Sequence, residues 1–489
     1  MRKFFIISSI LFLTNFSAQS WTQTGKLTPV IRRGGDSFGF DLLLKNNVLY
    51  SSAYGNTYDS DEQNSTFKAG SFYIFERLNN SWVMKNKLVP NDRENSDEFG
   101  KKFALGDDNK LFISAWQKKS GTSFGVGAVY LFNKDSNGNW VQTQKITPPT
   151  ATAYTHFGNR LSADSNTLAV GSQSSNVTIY EYNSNTQKFN FKQTFPSTYN
   201  ADTHVYNNRV FAGVSTQNVN GTANAGQVII YKKNITSNIW EINQTINSPV
   251  TGDTQFGFTT YANGDYLFIT AAYYARFVAI YKFNAATDQY THVQTISNGS
   301  SYFGSEISME NDLLAIGAPG ATNTAATGGG AVFLYKLENN LWVQKQKIYN
   351  NDSNPYDGFG YGLSVNNNSI AVGAPDHDFD STGGNISAST GAVYFFNDLS
   401  SLGTKESAAP TSFQIYPNPF IENISIRLDK KYDYLTTEIF DMSGKKIYTN
   451  SFSHKQSLDL SLKSLISGTY QLNIYSKDKK IITSRIIKK

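Results

Sequence analysis

An aromatic residue followed six positions later by Leu, Ile or Phe recurs seven times along this chain, at Trp21/Leu27, Trp82/Leu88, Trp140/Ile146, Phe189/Phe195, Trp240/Ile246, Tyr290/Ile296 and Trp342/Ile348. The leading aromatics stand 61, 58, 49, 51, 50 and 52 residues apart. A period near fifty residues suits one four-stranded blade rather than a helical repeat. Each copy must then build the same small sheet, and none can bury its apolar face alone.

Within each copy the spacing is that of strands and tight turns. A Phe-Gly pair follows the leading strand at Phe38-Gly39, Phe99-Gly100, Phe157-Gly158, Phe256-Gly257, Phe303-Gly304 and Phe359-Gly360, with Tyr199-Asn200 in the fourth copy. Eleven residues after that aromatic a new apolar run starts, at Leu49, Leu168, Val210, Leu267, Leu314 and Ile370, and one residue later at Leu111. A fixed spacing predicts a hairpin of fixed length. Its tip is Asn46-Asn47, Asn207-Asn208, Asn263-Gly264 or a similar Asn, Asp or Gly pair, residues that tolerate the positive φ of tight hairpins. A third strand, such as Val129 to Phe132 or Val393 to Phe396, is apolar and aromatic. Aromatics make up 14% of the chain and charged residues 17%, a mix that favours strands over exposed helices. The fold expected is all-β: a seven-bladed β-propeller over residues 21–398.

The last copy supplies only three strands once its leading strand is given to the blade before. Trp21–Leu27 is the copy without a home. The spacing therefore predicts that Trp21–Leu27 pairs with residues 391–396 and closes the last blade, which also covers an open sheet edge.

These motifs resemble the FG-GAP repeat of integrin-type propellers. Gly317-Ala318-Pro319 and Gly373-Ala374-Pro375 carry the resemblance most clearly; Ser52-Ala53-Tyr54, Ser114-Ala115-Trp116 and Gly171-Ser172-Gln173 are degenerate forms. The resemblance covers residues 21 to about 398 and implies the fold, not the function, since one fold hosts many activities. Members of that family often hold calcium in an acidic first hairpin. The tips here are too short and too poor in acids to supply six oxygen ligands, so calcium is not carried over. The weak alternative is Asp376-His377-Asp378-Phe379-Asp380 before Gly383-Gly384, where Asp376, Asp378 and Asp380 alternate; a solvated loop is the plainer reading. No cofactor is expected.

Strand alternation places the second-to-third loops and the between-blade loops on one face. The long connections are all second-to-third loops, at residues 54–69, 117–125, 215–225, 320–329 and 376–390, so that face is expected to carry function. Tyr54, Trp116, Tyr273 and Tyr274 lie at or near the starts of such loops, and Tyr302 and Tyr356 precede Phe-Gly pairs on the same side. Exposed rings there would stack on sugars or anchor a protein; the plainer reading of any one of them is packing between blades. No zinc spacing, nucleophile elbow or phosphate loop accompanies them. Catalytic residues are therefore not assigned. A pair of carboxylates brought together only by the fold is the form an enzyme would take here.

The two ends of the chain differ from the middle. Met1-Arg2-Lys3, an apolar run from Phe4 to Phe16, and small residues at Ser17, Ala18 and Ser20 follow the order of a secretory signal peptide, expected at 1–20 with cleavage after Ala18 or Ser20. No other apolar stretch is long enough to span a bilayer, so no transmembrane segment is expected in the mature protein. The chain has no cysteine, hence no disulfide framework. The net charge of +5 belongs to the ends: residues 21–410 carry 28 Lys/Arg against 31 Asp/Glu. A near-neutral body argues against nucleic acid as a partner.

Residues 399–410 are rich in Ser and Ala and read as a linker. Residues 411–489 then show short strands (424–428, 437–441, 446–452, 458–460, 468–475 and 480–487) and a Ser443-Gly444 turn, as in a small β-sandwich. This module resembles the type A C-terminal sorting domain of the type IX (Por) secretion system, on Tyr416-Pro417-Asn418-Pro419, on Asp441 with Gly444-Lys445, on Leu458-Asp459-Leu460-Ser461, on Gly468-Thr469-Tyr470 and on the basic end. The resemblance implies a Bacteroidota-type cell, the type IX machinery as partner, and export across the outer membrane with release or attachment at the surface. The functional expectation is a secreted or cell-surface binding protein that captures a glycan or a protein. The alternatives are an extracellular polysaccharide hydrolase or lyase and a structural surface or matrix protein.

Overall fold

The computed structural model describes residues 21–489 apart from 79–80, 108, 165, 174–175, 197–200, 324–326, 399–413, 442–444 and 477–478. The expected signal peptide and linker, Tyr199-Asn200 and Gly444 lie outside the described residues. The rest forms two compact units, one of which is Trp21–Asn397.

That unit consists of seven four-stranded antiparallel sheets. Blade 1 is Leu42–Lys45, Val48–Ala53, Ser71–Leu78 and Ser81–Leu88. Blades 2 to 6 repeat the plan, with first strands Phe99–Asp107, Arg160–Ala163, Ala201–Tyr206, Thr260–Asn263 and Ile307–Glu310. Blade 7 is Leu363–Asn366, Ser369–Ala374 and Ala392–Asp398, completed by Trp21–Leu27 as its outer strand. The propeller is therefore closed by its first strand. The hairpin tips take the left-handed conformation their composition suggests, as at Asn46 (φ 49°), Asn47 (63°), Asn207 (50°), Asn208 (57°) and Gly264 (57°).

The core lies between blades. Phe268 and Ile280 of blade 5 pack with Phe303 and with Ile307, Leu314 and Phe333 of blade 6, and Phe38 fills the junction of blades 7 and 1 with Ala371, Val393 and Phe395. The Phe of every Phe-Gly pair is fully buried. Its backbone also makes a parallel bridge to the glycine that opens the third strand of the preceding blade: Gly70↔Phe99, Gly127↔Phe157, Gly226↔Phe256, Gly330↔Phe359 and Gly391↔Phe38. At Gly391 the φ is +84° and a Cβ would lie 2.2 Å from the Phe38 carbonyl oxygen, so no other residue fits there without moving a blade.

A second periodic device joins the outer strands. Four residues after the leading aromatic stands Gln144, Gln193, Gln244, Gln294 or Gln346, and each side-chain amide clamps the backbone of the next leading aromatic. Gln144 Nε2 donates to the Phe189 carbonyl at 2.8 Å and its Oε1 accepts the Phe189 N–H at 2.9 Å. Gln193 clamps Trp240, Gln244 clamps Tyr290 and Gln294 clamps Trp342 in the same way. Gln346 clamps Trp21 (2.9 and 2.8 Å), which ties the closing strand to blade 6.

In the C-terminal unit the expected short strands merge. Asn423–Phe440 and Lys446–Ser461 form one long pair, with a register break between Arg427 and Tyr432. The first half of Asn423–Phe440 also pairs with Gln414–Tyr416, and its second half with Gly468–Ser476, which in turn pairs with Lys479–Lys488. The core of this unit includes Phe420, Ile424, Leu435, Leu458, Leu472 and Ile486, all buried. The polar run around Asp429 to Asp433 reads as a loop in sequence; the strand Asn423–Phe440 passes through it, with the ladder interrupted between Arg427 and Tyr432 and resumed at Tyr432↔Lys455.

Candidate functional site

All seven innermost strands face a central channel with a cavity of about 420 Å³. Residues two or three positions after the Phe of the Phe-Gly pairs line it: Phe40 and Asp41, Lys102, Arg160, Phe258 and Thr259, Ser305 and Glu306, and Tyr361, with Asp202 at the matching place in blade 4 and Lys101 beside Phe40. Sequence reasoning assigned none of these. The signal was present in the repeat itself, as charged residues at one register position where packing residues stand elsewhere.

Most of the channel charge holds blades together. Asp41 accepts the Phe103 N–H of blade 2 (3.3 Å). Asp202 accepts the Thr260 N–H (2.6 Å) and hydroxyl (2.8 Å) of blade 5 and pairs with Arg160 Nε at 3.1 Å. Ser162, Ser308 and Ser364 accept backbone N–H groups from the neighbouring blade at 2.8, 2.9 and 3.0 Å. Glu306 differs. Among the described residues its carboxylate is held only by Lys102 across the channel, Oε2 to Nζ 3.7 Å, while Lys102 also approaches Asp41 at 3.5 Å. Burial pushes the Glu306 carboxyl up to about 7; Lys102 opposes that rise and Asp41 adds to it.

The aromatic residues expected at the mouth fall into three groups. Tyr54 and Trp116 come together around Lys101, whose ammonium lies 3.8 Å from the Tyr54 ring centre, 4.2 Å from Phe40 and 5.0 Å from Trp116. Phe40 meets Tyr54 edge-on and stacks on Tyr361 at 5.5 Å. Trp116 Nε1 donates to Glu98 (2.7 Å) and its ring lies 4.8 Å from His156. Burial pushes the Lys101 amine down to about 8, while the three ring faces favour its charged form. Tyr273, Tyr274 and Tyr302 form the second group, with edge-to-face contacts at 4.7 Å (Tyr273/Tyr274) and 5.4 Å (Tyr273/Tyr302). Tyr273 and Tyr274 are 45% and 57% exposed, and Tyr302 also lines the channel. Tyr356 stands apart, 74% exposed beside Gly328.

The three carboxylates of the last long loop do not converge. Asp378 accepts the Ser389 N–H at 2.7 Å. Asp380 accepts from the Thr382 hydroxyl, from the backbone of Gly384 and Thr382 and from Asn385, and these bonds hold its carboxyl well below the usual range. Asp376 lies nearer the mouth, where burial and the neighbouring Asp357 and Asp378 raise it. Asp376 and Asp378 both reach Ser389, while Asp380 shapes its own turn. Among the described residues no group of three or more acidic, His or Cys side chains is arranged to hold a metal ion. His377, between Asp376 and Asp378, is fully buried and faces Asp357 (2.9 Å) and Lys26 (2.9 Å), so it belongs to the closure of blade 7.

In the C-terminal unit Tyr416, Pro417, Asn418 and Pro419 are all exposed, and both X-Pro bonds, Tyr416-Pro417 and Asn418-Pro419, are cis. Asn418 accepts the Ile487 N–H at 2.8 Å, which fastens this segment to the last strand. Asp441 closes its turn with Lys445. Gly468 opens a strand, and the buried Tyr470 donates its hydroxyl to the Ile466 carbonyl at 2.7 Å. Among the described residues no helix is long and apolar enough to cross a membrane.

Comparison with known proteins agrees with both units. The FG-GAP repeat family matches residues 82–132, 140–181 and 342–396. The secretion system C-terminal sorting domain family matches residues 414–489. No curated protein matches the sequence. Among solved structures the chain is similar to a protein from Lactobacillus plantarum (13% identity, TM-score 0.44, 66% of this chain and 86% of that one). It is similar to PorZ, a surface component of the type IX secretion system of Porphyromonas gingivalis (11%, 0.44, 95% of this chain), of whose length it spans 61%. It is also similar to the periplasmic gluconolactonase PpgL of Pseudomonas aeruginosa (10%, 0.44, 64% of this chain and 86% of that one). Likenesses of this strength carry nothing about ligand or chemistry. The chain carries FG-GAP repeats in a seven-bladed β-propeller, ends in a Por secretion C-terminal sorting domain, and is exported by type IX secretion to the outer cell surface.

Proposed function

We propose that the propeller captures glycans at the cell surface through the mouth of its central channel. The observation that carries this reading is the Tyr273/Tyr274/Tyr302 cluster, half-exposed rings that run into a cavity lined by hydroxyl and charged groups. Ring faces beside a few fixed polar groups suit the alternating apolar and hydroxyl faces of a sugar. Tyr54 and Trp116 extend the aromatic surface on the other side of the mouth. A protein partner would find the same rings, but the hydroxyl and charged groups set among apolar residues in the channel wall favour a sugar.

One observation favours a hydrolase instead: Asp41, Asp202 and Glu306 line one channel. Two-carboxylate hydrolysis needs an acid and a second carboxylate free to act on water or on the sugar. Asp202 has both oxygens engaged, by Thr260 and by Arg160, and Asp41 accepts the Phe103 N–H and faces Lys102, so among the described channel carboxylates Glu306 is the least engaged. Binding is therefore the first reading. A purely structural role would not require the exposed tyrosine cluster.

A glycan array probed with the secreted protein tests the proposal. Binding to a defined set of glycans, lowered about tenfold or more by Tyr274→Ala with the melting temperature unchanged, is the expected outcome. An array without signal, alongside capture of one surface protein that survives Tyr274→Ala, would point to the protein-binding reading.

A further inference from the structure

The channel contains two kinds of polar group. Asp41, Asp202, Ser162, Ser308 and Ser364 each accept a backbone N–H from an adjoining blade. These contacts hold the ring closed: Asp202 has both oxygens engaged, by Thr260 and by Arg160, and Asp41 has one on Phe103 and the other facing Lys102. Glu306 and Lys102 face each other from blades 6 and 2 without such a duty, at 3.7 Å, longer than a good charge-assisted hydrogen bond. Next to Glu306, the Ser305 hydroxyl is buried and has no hydrogen-bond partner among the described residues. Tyr302 and Tyr361 close the wall above them.

From this arrangement we infer that Glu306 and Lys102 form a subsite inside the channel that takes a vicinal diol of one sugar unit. The inference rests on the glycan reading above and names the end of the ligand that enters the channel. A carboxylate accepts and an ammonium donates, so one hydroxyl of the diol gives its proton to Glu306 while the neighbouring oxygen receives a hydrogen bond from Lys102. The gap between the two charged groups lets a ligand bridge them, and the ion pair need not be replaced by two unpaired charges. The cavity of about 420 Å³ lies within the range of small-ligand sites, roughly 300–1,000 Å³. Tyr302 belongs both to this wall and to the exposed tyrosine cluster, so a chain stacked on Tyr273 and Tyr274 would lead its terminal unit to Glu306.

Ligand-observed NMR on the full-length secreted protein, with a panel of methyl glycosides as probes, tests the subsite. The panel covers the gluco, galacto and manno series, with cis-1,2-cyclohexanediol against cyclohexanol to isolate the diol. Expected are binding of at least one glycoside, preference for the diol over the mono-alcohol, and loss of about tenfold or more in affinity in Glu306→Gln. Lys102→Met should show a similar loss, but its second contact, with Asp41, makes the isosteric Glu306→Gln the decisive variant. Tyr274→Ala should weaken longer glycans more than the methyl glycosides. The inference is overturned if no methyl glycoside binds, or if Glu306→Gln, folded by its melting temperature, binds as tightly as the parent. Array glycans that bind independently of Glu306 would leave the capture reading standing and remove this subsite. Methyl glycosides that bind through Glu306 without any array signal would do the reverse.

Discussion

Deleting residues 411–489 leaves the propeller folded and stops it short of the cell surface. The propeller has its own core between blades and its own closure, Gln346 on Trp21, so nothing in residues 411–489 is needed to bury its apolar surface. The export signal lies in the other unit, where the sorting-domain family covers residues 414–489. Fractionation of cells making the truncated chain should show the extracellular and surface-bound pool falling to near zero, with a protease-resistant propeller inside the outer membrane. Normal surface display of the truncated chain would contradict the assignment. Recovery of only degraded fragments would show that the two units depend on each other for folding.

Replacing Gly391 by Ala should be the most damaging single change in the propeller. The φ of +84° alone costs a non-glycine residue about 1–2 kcal/mol. The larger part is contact: the new methyl would stand 2.2 Å from the Phe38 carbonyl oxygen and 2.5 Å from its nitrogen. Both atoms are backbone, and the bridge they form is the junction of blades 7 and 1. Relief requires the two blades to separate, which loosens Phe38 from Val393 and Phe395. A total on the order of 3–5 kcal/mol is expected, a large share of the roughly 5–15 kcal/mol of a typical domain. Gly383→Ala is the internal control, because Gly383 has nearly the same φ (+82°) and nothing within 4 Å of its Cβ position. Chemical denaturation should give a loss several times larger for Gly391→Ala than for Gly383→Ala. Equal losses would mean that conformational strain, not the close approach of blades, makes glycine necessary there.

The blade architecture was legible because it rests on short-range regularities. Phe-Gly pairs, Asn-rich tips and leading aromatics recur at fixed offsets, and the unplaced strand Trp21–Leu27 follows from the phase of the repeat. The glutamine clamps were equally regular but went unread, since a polar residue on an outer strand looks like solvent-facing decoration until its partner blade is in place. The channel residues were harder to see. Asp41, Lys102, Arg160, Asp202 and Glu306 are scattered over more than 260 positions of sequence and meet only because seven first strands converge. Which of them are structural and which are available depends on single backbone hydrogen bonds from the next blade. The aromatics chosen by loop position are spread over three places: Tyr54 and Trp116 both face Lys101, Tyr273, Tyr274 and Tyr302 meet, and Tyr356 stands alone. Lys101, which joins Tyr54 to Trp116, carried no sequence signal beyond its place after Phe99-Gly100. In the sorting domain, the long strand Asn423–Phe440 runs through a polar stretch that local propensity reads as a break.

Hydrogen–deuterium exchange of the secreted protein with and without its best array glycan tests the central claim most directly. Glycan capture at the mouth should slow exchange in the loop starts at 54–58 and 272–276 and in the segment 300–306, with no change at the hairpin tips 46–47, 207–208 and 367–368 on the opposite face. Protection confined to those tips or to the outer strands, with the tyrosine cluster unaffected, would contradict it.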